Sequence, residues 1–324
     1  MAKSWKEWEK PVLELDELIA KLKAIAAQET DANKQRKLQH RLEEFEKRRD
    51  NFINVRYSRL GAWEEVLLAR AEPRPYTLDY ISSIFTGFVE LDGDRRNGAD
   101  HAIVSGPANL DGKPVMVVGH QKGRDIQQRA YRNFAMSKPE GYRKAIRMFE
   151  MAERFRMPVV TFVDTPAADP GVESESRGIS EAIAASMLKM FELTVPVVSV
   201  VIGEGGSGGA IGIAAANTVL MQQHAIYSVI PPEGCAAILW RNPEKGPQAA
   251  AALKLTAQAA QEFELVDEIL EEPFGGAHRN PQQAAETVKD AVVRSFQALA
   301  RMSPQQIKDH RYSRFRKMGL VQTV

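Results

Sequence analysis

The 324-residue chain contains a single cysteine, Cys235. One thiol excludes a disulfide framework within the chain and a cysteine-rich zinc site. Long apolar runs are missing, and none approaches the ~18 residues that a membrane span needs. The charged start, Lys3-Ser4-Trp5-Lys6-Glu7-Trp8, does not read as a secretory signal. An excess of one charge is missing too, with 43 basic residues against 42 acidic ones. That balance gives no reason to expect nucleic acid or an anionic membrane as a partner. No segment is of low complexity, the alanine-rich Ala249–Ala260 included. These absences predict a soluble protein of a reducing cytoplasm with no metal site, long enough to bury a large core in one domain or two.

What the chain does have is glycine concentrated in one place. An apolar β-branched run, Val195 to Ile202, enters Gly203-Glu204-Gly205-Gly206-Ser207-Gly208-Gly209, with five glycines in seven residues. Small residues from Gly209 to Ala216 follow and are compatible with a helix. A strand–glycine–helix passage presents unpaired backbone N–H groups at a helix N-terminus, with no side chain to block an approaching atom. It suits a phosphate, or a negative oxygen that forms during a reaction. A P-loop would need Lys and then Ser or Thr after its last glycine, where Ala210 and Ile211 stand. A dinucleotide fingerprint fits in spacing but calls for an acidic residue about 20 positions on, and Met221-Gln222-Gln223-His224 has none. On spacing alone, a turn that packs a helix tightly on a sheet remains an equal alternative.

Two periodic apolar stripes precede this region, Leu15, Leu18, Ile19, Leu22, Ile25 and then Leu38, Leu42, Phe45, Phe52, separated by Thr30-Asp31-Ala32-Asn33. They predict a helical hairpin that packs as an arm on its own domain and also serves an oligomer contact. Trp5 and Trp8 read as anchors of that arm. Pro73-Arg74-Pro75-Tyr76 marks a boundary, after which strands and helices alternate. Asp111-Gly112 joins two strands, 102–110 and 113–120, as a hairpin. Further strands are expected at 158–164, 196–202, 218–221 and 225–230, with helices at 140–155, 180–193, 247–263 and 281–302 and a basic tail after them. The alternation argues for parallel, largely buried strands.

Read in order, several phrases resemble one family along nearly the whole chain. They are Leu60-Gly61-Ala62-Trp63, Arg74-Pro75-Tyr76-Thr77-Leu78-Asp79-Tyr80, Gly119-His120-Gln121-Lys122-Gly123-Arg124 and Arg132-Asn133-Phe134. Then follow Pro139-Glu140-Gly141-Tyr142-Arg143-Lys144-Ala145, Met151-Ala152-Glu153-Arg154-Phe155, the glycine stretch, Pro232-Glu233-Gly234-Cys235-Ala236 and Gly275-Gly276-Ala277-His278-Arg279-Asn280-Pro281. The chain resembles the alpha subunits of bacterial acetyl-CoA carboxylase carboxyltransferases. The resemblance implies an α/β, crotonase-like (ClpP/crotonase) spiral of ββα units, with residues 1–72 as the helical arm and 73–324 as the carboxyltransferase domain. It implies transfer of a carboxyl group from carboxybiotin on the biotin carboxyl carrier protein to acetyl-CoA, giving malonyl-CoA, the first committed step of fatty acid synthesis. It also implies an α2β2 complex with a zinc-ribbon beta subunit, working with biotin carboxylase, and biotin that is not attached to this chain.

By the same resemblance, the amides of Gly208 and Gly209 form the oxyanion hole for biotin, and a second hole on the beta subunit serves acetyl-CoA. Gly205, Gly206, Ala210, Lys122, Arg124, Ala167 and Gly171 are the expected substrate-binding residues. His120, Lys122 and Arg124 end a predicted strand and could meet the phosphates or pantetheine arm of CoA, or form an ordinary solvated loop. His278 and Arg279 read as a structural loop, and Cys235 as a small packing residue near a helix start.

The pattern departs from the family in one loop, where Ala167 and Glu173 replace glycines and Asp169 replaces an aromatic residue. If either glycine position requires positive φ, a side chain there costs on the order of 1 kcal/mol. A carboxylate at 169 should repel a carboxylated cofactor in a low-dielectric cleft. Pro231 stands in place of a seryl helix cap and offers no side-chain oxygen. These departures motivate other readings: a degenerate paralogue acting as a structural or regulatory subunit, or a carboxyltransferase for another acyl-CoA. A self-contained crotonase-type hydratase or hydrolase would need Glu204 or Asp169 as its acid.

Overall fold

The computed structural model describes residues 4–319. Lys3 of the charged start and the last residues of the basic tail lie outside the described residues. Helices α1 (Trp5–Gln28) and α2 (Ala32–Tyr57) form the expected hairpin. Ser4 and Glu7 cap α1 reciprocally, and the Asp31 carboxylate accepts the Asn33 and Lys34 amides at the start of α2. Ile19 and Leu22 pack against Leu42 between the two helices. At the body end, Trp5, Leu67, Leu68 and Ala71 make a separate apolar cluster with Trp8 and Tyr57 against it.

Two short helices follow, α3 (Ala62–Ala69) and α4 (Thr77–Ile84). Strands β1 (Ile103–Leu110) and β2 (Lys113–His120) form the predicted hairpin, with Asp111 and Gly112 both at positive φ, 48° and 77°. Next come α5 (Ile126–Tyr131), α6 (Pro139–Phe155), β3 (Val159–Thr165), α7 (Val172–Ser176), α8 (Ile179–Glu192) and β4 (Val197–Gly206). The chain continues with α9 (Ser207–Ile211), β5 (Thr218–Gln222), β6 (Ile226–Ser228), α10 (Pro232–Trp240), α11 (Gly246–Leu253) and α12 (Ala257–Glu262). Strand β7 (Glu268–Leu270) and helices α13 (Pro281–Leu299) and α14 (Pro304–Arg316) complete it.

The sheet order is β1-β2-β3-β4-β5-β7, parallel except for the β1–β2 pair, and β6 pairs with the far end of β4. Each central strand is buried on both faces, as its continuous apolar run predicts. Val159, Val163, Val197 and Val201 face α6 and α8, whereas Val160, Phe162, Val198 and Val200 face α4 and α13. The two cores therefore follow the period of two along each strand.

Several boundaries differ from the sequence expectations. Strand β4 runs on to Gly206, so much of the glycine stretch is strand, and the following helix covers only Ser207–Ile211. Pairing of Gly205 and Gly206 with Tyr227 and Ser228 of β6 supplies the extra ladder. The helix expected over 247–263 breaks at Lys254, which adopts φ 53°, and Thr256 caps a new helix by accepting the Ala259 amide. The basic tail is helical over Pro304–Arg316: Arg311 is buried and donates to the carbonyls of Met190, Leu193 and Val195 and to the Asn217 side chain. Its guanidinium thereby caps the end of α8 (residues 179–192), a contact no local pattern announces.

Candidate functional site

The C-terminal ends of β2, β3 and β4 converge, the usual place for a site in an α/β sheet. Four of the five glycines at the end of β4 are there because something lies too close for a side chain. A Cβ would sit 2.3 Å from Asp164 Oδ1 at Gly203, 2.6 Å from the Tyr227 ring at Gly205, 2.0 Å from the Pro166 carbonyl oxygen at Gly206 and 2.6 Å from the Ala167 carbonyl carbon at Gly209. Gly208 is the exception, with only the end of Ile183 at 3.2 Å. Ser207, at φ 49°, takes the left-handed conformation that turns the strand into α9.

The first turn of α9 leaves its N–H groups without intrahelical acceptors, and no side chain caps it. Neither Gly208 nor Gly209 donates to a backbone acceptor elsewhere among the described residues. The helix itself is held from behind: Ser186 Oγ donates to the Gly212 carbonyl at 2.6 Å and Tyr142 Oη to the Gly209 carbonyl at 3.4 Å. Gly208 and Ile211 line an apolar cleft of about 550 Å³ that Leu253, Phe263 and Phe315 also border.

Beside this turn lies an ionic cluster that the sequence reading missed. Lys122 Nζ meets Asp164 Oδ1 at 2.7 Å and Glu204 Oε1 at 3.0 Å. Arg70 Nε meets Glu204 Oε2 at 2.7 Å, and its Nη1 meets Glu233 Oε1 at 2.5 Å. Burial opposes ionisation of Glu204, yet Lys122 and Arg70 outweigh it and hold its pKa at about 2. Burial pushes Asp164 up against the pull of Lys122. Burial also opposes charge on Lys122, but Asp164 and Glu204 raise it and keep it protonated. The sequence did carry a signal, since Asp164 and Glu204 are acids at the ends of otherwise apolar runs.

A second buried pair supports the same sheet end. Arg74 and Glu272 are in direct contact, with side chains 1% and 0% exposed. Arg74 also donates to the Ile202 carbonyl at 2.8 Å and to Gln222, which accepts from Tyr80 as well. Burial opposes ionisation of Glu272 too, and Arg74 brings its pKa down to about 2. Both glutamates thus have folded pKa values below the ordinary 4.5. Their contribution to stability is complete above about pH 4.5 and is lost as pH falls toward 2. A series of urea midpoints between pH 7 and pH 3 should show loss concentrated below pH 4.5; a flat series would contradict the pairing.

Of the residues singled out from the sequence, Gly205 and Gly206 end β4, Gly208, Gly209 and Ala210 lie in α9 immediately after it, and Ala167 faces Gly209 directly. Gly171 is the N-cap of α7. Lys122 belongs to the internal ionic cluster and is not on a solvated loop. Arg124 stacks on Tyr76 with its guanidinium 4.0 Å from the ring centroid, and bonds Asp79 and the carbonyls of Glu72 and Arg74. His120 is sealed in the interior with neither ring nitrogen bonded, and burial reinforced by Lys122 lowers its pKa to about 3. It is a neutral core residue and cannot meet a phosphate.

The altered loop is accommodated. Ala167 and Glu173 both keep negative φ, so neither position requires glycine. Glu173 is exposed and pairs with Arg177 at 3.4 Å. The Asp169 carboxylate accepts from Ser174 nearby in the chain and, at 3.2 Å, from Asn133 in the segment after α5. Glu204, held ionised between Lys122 and Arg70, has no proton to give as a general acid at neutral pH. Helix α10 has no side-chain cap at Pro231, and Glu233 in its first turn is held by Arg70. His278 is buried against Glu9 at 3.3 Å with Trp5 edge-on, joining the arm to the body. Cys235 is half-buried in α10. Among the described residues, no group of three or more His, Cys, Asp or Glu side chains could hold a metal ion.

Comparison with solved structures gives the fold. The transcarboxylase 12S core, with methylmalonyl-coenzyme A and methylmalonic acid bound, superposes with a TM-score of 0.57 at 19% identity, over 70% of this chain and 42% of that one. A Pseudomonas malonate decarboxylase hetero-tetramer in complex with coenzyme A gives a TM-score of 0.58 at 16% identity, over 74% of this chain and 96% of that one. The architecture is therefore the crotonase-like one of these carboxyl-handling enzymes. In sequence, the acetyl-coenzyme A carboxylase carboxyl transferase subunit alpha of Geobacter metallireducens is 52% identical over 313 residues, 97% of this chain and 96% of the relative. The protein of the same description from Vibrio cholerae is 49% identical over 319 residues, 98% of this chain and 99% of its own length. The family model for acetyl co-enzyme A carboxylase carboxyltransferase-like proteins matches residues 5–319. With the glycine turn, the fold and nearly the full length in agreement, this chain belongs to the acetyl co-enzyme A carboxylase carboxyltransferase-like family.

Proposed function

We propose that the chain is the alpha-type subunit of an acetyl-CoA carboxylase carboxyltransferase, which moves a carboxyl group from carboxybiotin on a carrier protein to acetyl-CoA and yields malonyl-CoA. The observation that carries this reading is the pair of unengaged amides at Gly208 and Gly209, in a segment where Gly208 borders an apolar cleft. Carboxybiotin, when bound, supplies the carboxyl group and leaves negative charge on the ureido oxygen. The residues fit that group: the two N–H donors suit an oxygen of growing charge, and the nearby carboxylates of Asp164, Glu204 and Asp169 are turned into their own cations and hydrogen-bond donors.

The turn donates both amides, and the aligned dipoles of α9 add positive potential at its start. Losing one such donor typically costs about 3 kcal/mol of transition-state stabilisation. Positioning supplies further rate, because the site acts on two substrates that must meet. Gly205, Gly206, Ala210, Ala167 and Gly171 shape the approach. Lys122 serves through the ionic cluster, and Arg124 braces the strand-end loop.

A beta chain carrying the zinc ribbon and the second oxyanion hole completes the site in an α2β2 assembly, and the biotin carboxyl carrier protein and biotin carboxylase supply the carboxylated cofactor. The place of work is the cytoplasm; no helix of the described residues is long and apolar enough to cross a membrane.

The test is reconstitution. The purified chain alone should form no malonyl-CoA from acetyl-CoA and carboxybiotin, and addition of a beta subunit should start turnover. Substantial activity without a partner overturns the two-subunit reading. Absence of turnover in the reconstituted pair favours a structural or regulatory subunit.

A further inference from the structure

Glu204 is the only charged residue between Gly203 and Gly209, and its surroundings give it a task. Glycine is the residue least able to hold a turn in place, because it has no side chain to pack and the most conformational freedom to lose. The position of the Gly208 and Gly209 amides must therefore be set from the flanks. On the C-terminal flank, Tyr142 and Ser186 hold the Gly209 and Gly212 carbonyls. On the N-terminal flank, the side-chain anchor is Glu204.

That anchor is unusually complete. One carboxylate oxygen takes Arg70 at 2.7 Å and the other takes Lys122 at 3.0 Å, while the Glu204 N–H donates to Asp164 Oδ1 at 2.9 Å. Asp164 also holds Lys122, so backbone and side chain of Glu204 are tied to one pair. The free arm of Arg70 reaches Glu233 in the first turn of α10, at 2.5 Å and 3.3 Å. One guanidinium thus joins the glycine turn to the segment that follows β6. We propose that Glu204, clamped by Arg70 and Lys122, is a positioning residue that fixes the height of the Gly205–Gly209 turn, and so the aim of its two amides. The inference rests on the carboxyltransferase reading above.

A glutamine at 204 keeps the shape but has one acceptor oxygen. It can satisfy Arg70 or Lys122, and its NH2 group faces the other cation. One of the two contacts is lost, and a displacement on the order of 1 Å in a reacting geometry costs roughly 10²-fold in rate.

The experiment compares wild type, Glu204→Gln, Arg70→Lys and Arg70→Ala, each reconstituted with a beta subunit. Two readouts are taken: steady-state kinetics, and amide hydrogen exchange of the peptide spanning 203–212. For Glu204→Gln the expected result is a kcat lower by roughly 10- to 100-fold, with KM for acetyl-CoA within about twofold. Exchange should rise about tenfold in that peptide, with the sheet core unchanged. Arg70→Lys, which keeps the charge against Glu204, should exceed Arg70→Ala in kcat by at least about fivefold. Wild-type kcat and exchange in Glu204→Gln would overturn the proposal. If that variant does not assemble, equal kcat in the two Arg70 variants overturns it and a clear lysine advantage supports it. An inactive wild-type pair would instead reject the assigned reaction, while the exchange comparison would still test the positioning.

Discussion

Substitution of Gly209 by alanine is expected to lower carboxyl-transfer kcat by about 10²- to 10³-fold, the range seen when one preorganised oxyanion donor is lost. The added methyl would lie 2.6 Å from the Ala167 carbonyl carbon and 2.7 Å from the Ala168 nitrogen, both backbone atoms that no rotamer change can move aside. Either α9 or the 167–169 segment must shift, and both border the approach to the amides. Overpacking of this kind also costs about 1–3 kcal/mol of stability. Gly208→Ala is the informative contrast, because it meets only the flexible end of Ile183 at 3.2 Å. Its unfolding stability should match wild type or exceed it by up to about 1 kcal/mol, since alanine is the better helix residue. Kinetics of the reconstituted pair, together with urea unfolding of each variant, check both outcomes. Wild-type turnover in Gly209→Ala would mean that the turn does not hold the reacting oxygen.

The largest stability effect is expected at the Arg74–Glu272 pair. Arg74→Met leaves the Glu272 carboxylate buried without its cation, and Glu272→Gln removes the charge that balances a guanidinium only 1% exposed. Breaking a buried pair from one side typically costs about 3–5 kcal/mol. Arg74→Met should be the worse at neutral pH, because it removes the guanidinium donors to both Glu272 oxygens, whereas glutamine at 272 still offers Arg74 an acceptor. It also strips the Ile202 carbonyl of its donor, and Ile202 lies two residues before Glu204. The double replacement Arg74→Met with Glu272→Met removes both charges and should recover a large share of the loss, as apolar substitution of buried pairs often does. Denaturant unfolding of the two single variants and the double variant closes the cycle. Additive losses would show that the two side chains are not coupled.

Element types were legible in the sequence wherever a pattern is local. The β1–β2 hairpin follows from Asp111-Gly112, which tolerate the positive φ that its turn demands. The arm follows from two helical stripes, and the core strands from unbroken β-branched runs. Boundaries were less legible where tertiary pairing overrides local preference. Glycine reads as loop, yet Gly205 and Gly206 extend β4 because β6 (residues 226–228) is there to pair with them. Lys254 reads as helix interior, yet it breaks the chain into α11 and α12. The strand-end cations were misplaced for a related reason. His120 and Lys122 look like a basic solvated edge, but His120 points into the core and Lys122 is enclosed by acids drawn from two other strands. The substitutions at 167, 169 and 173 looked disruptive for want of φ values and partners, and the fold supplies both.

By itself, the sequence determined an α/β chain with a helical arm and a glycine-rich strand-to-helix stretch without nucleotide signatures, while its ordered phrases carried the resemblance to one family. These are properties of neighbouring residues, and propensity and spacing record them. Only the tertiary structure decided which amides of that stretch stay unengaged, which glycines are required by close approach, and that Arg70, Lys122, Asp164, Glu204 and Glu233 form one cluster. Those residues lie up to 163 positions apart. The attraction between charges depends on distance in space and on burial, and neither is written in the order of the chain.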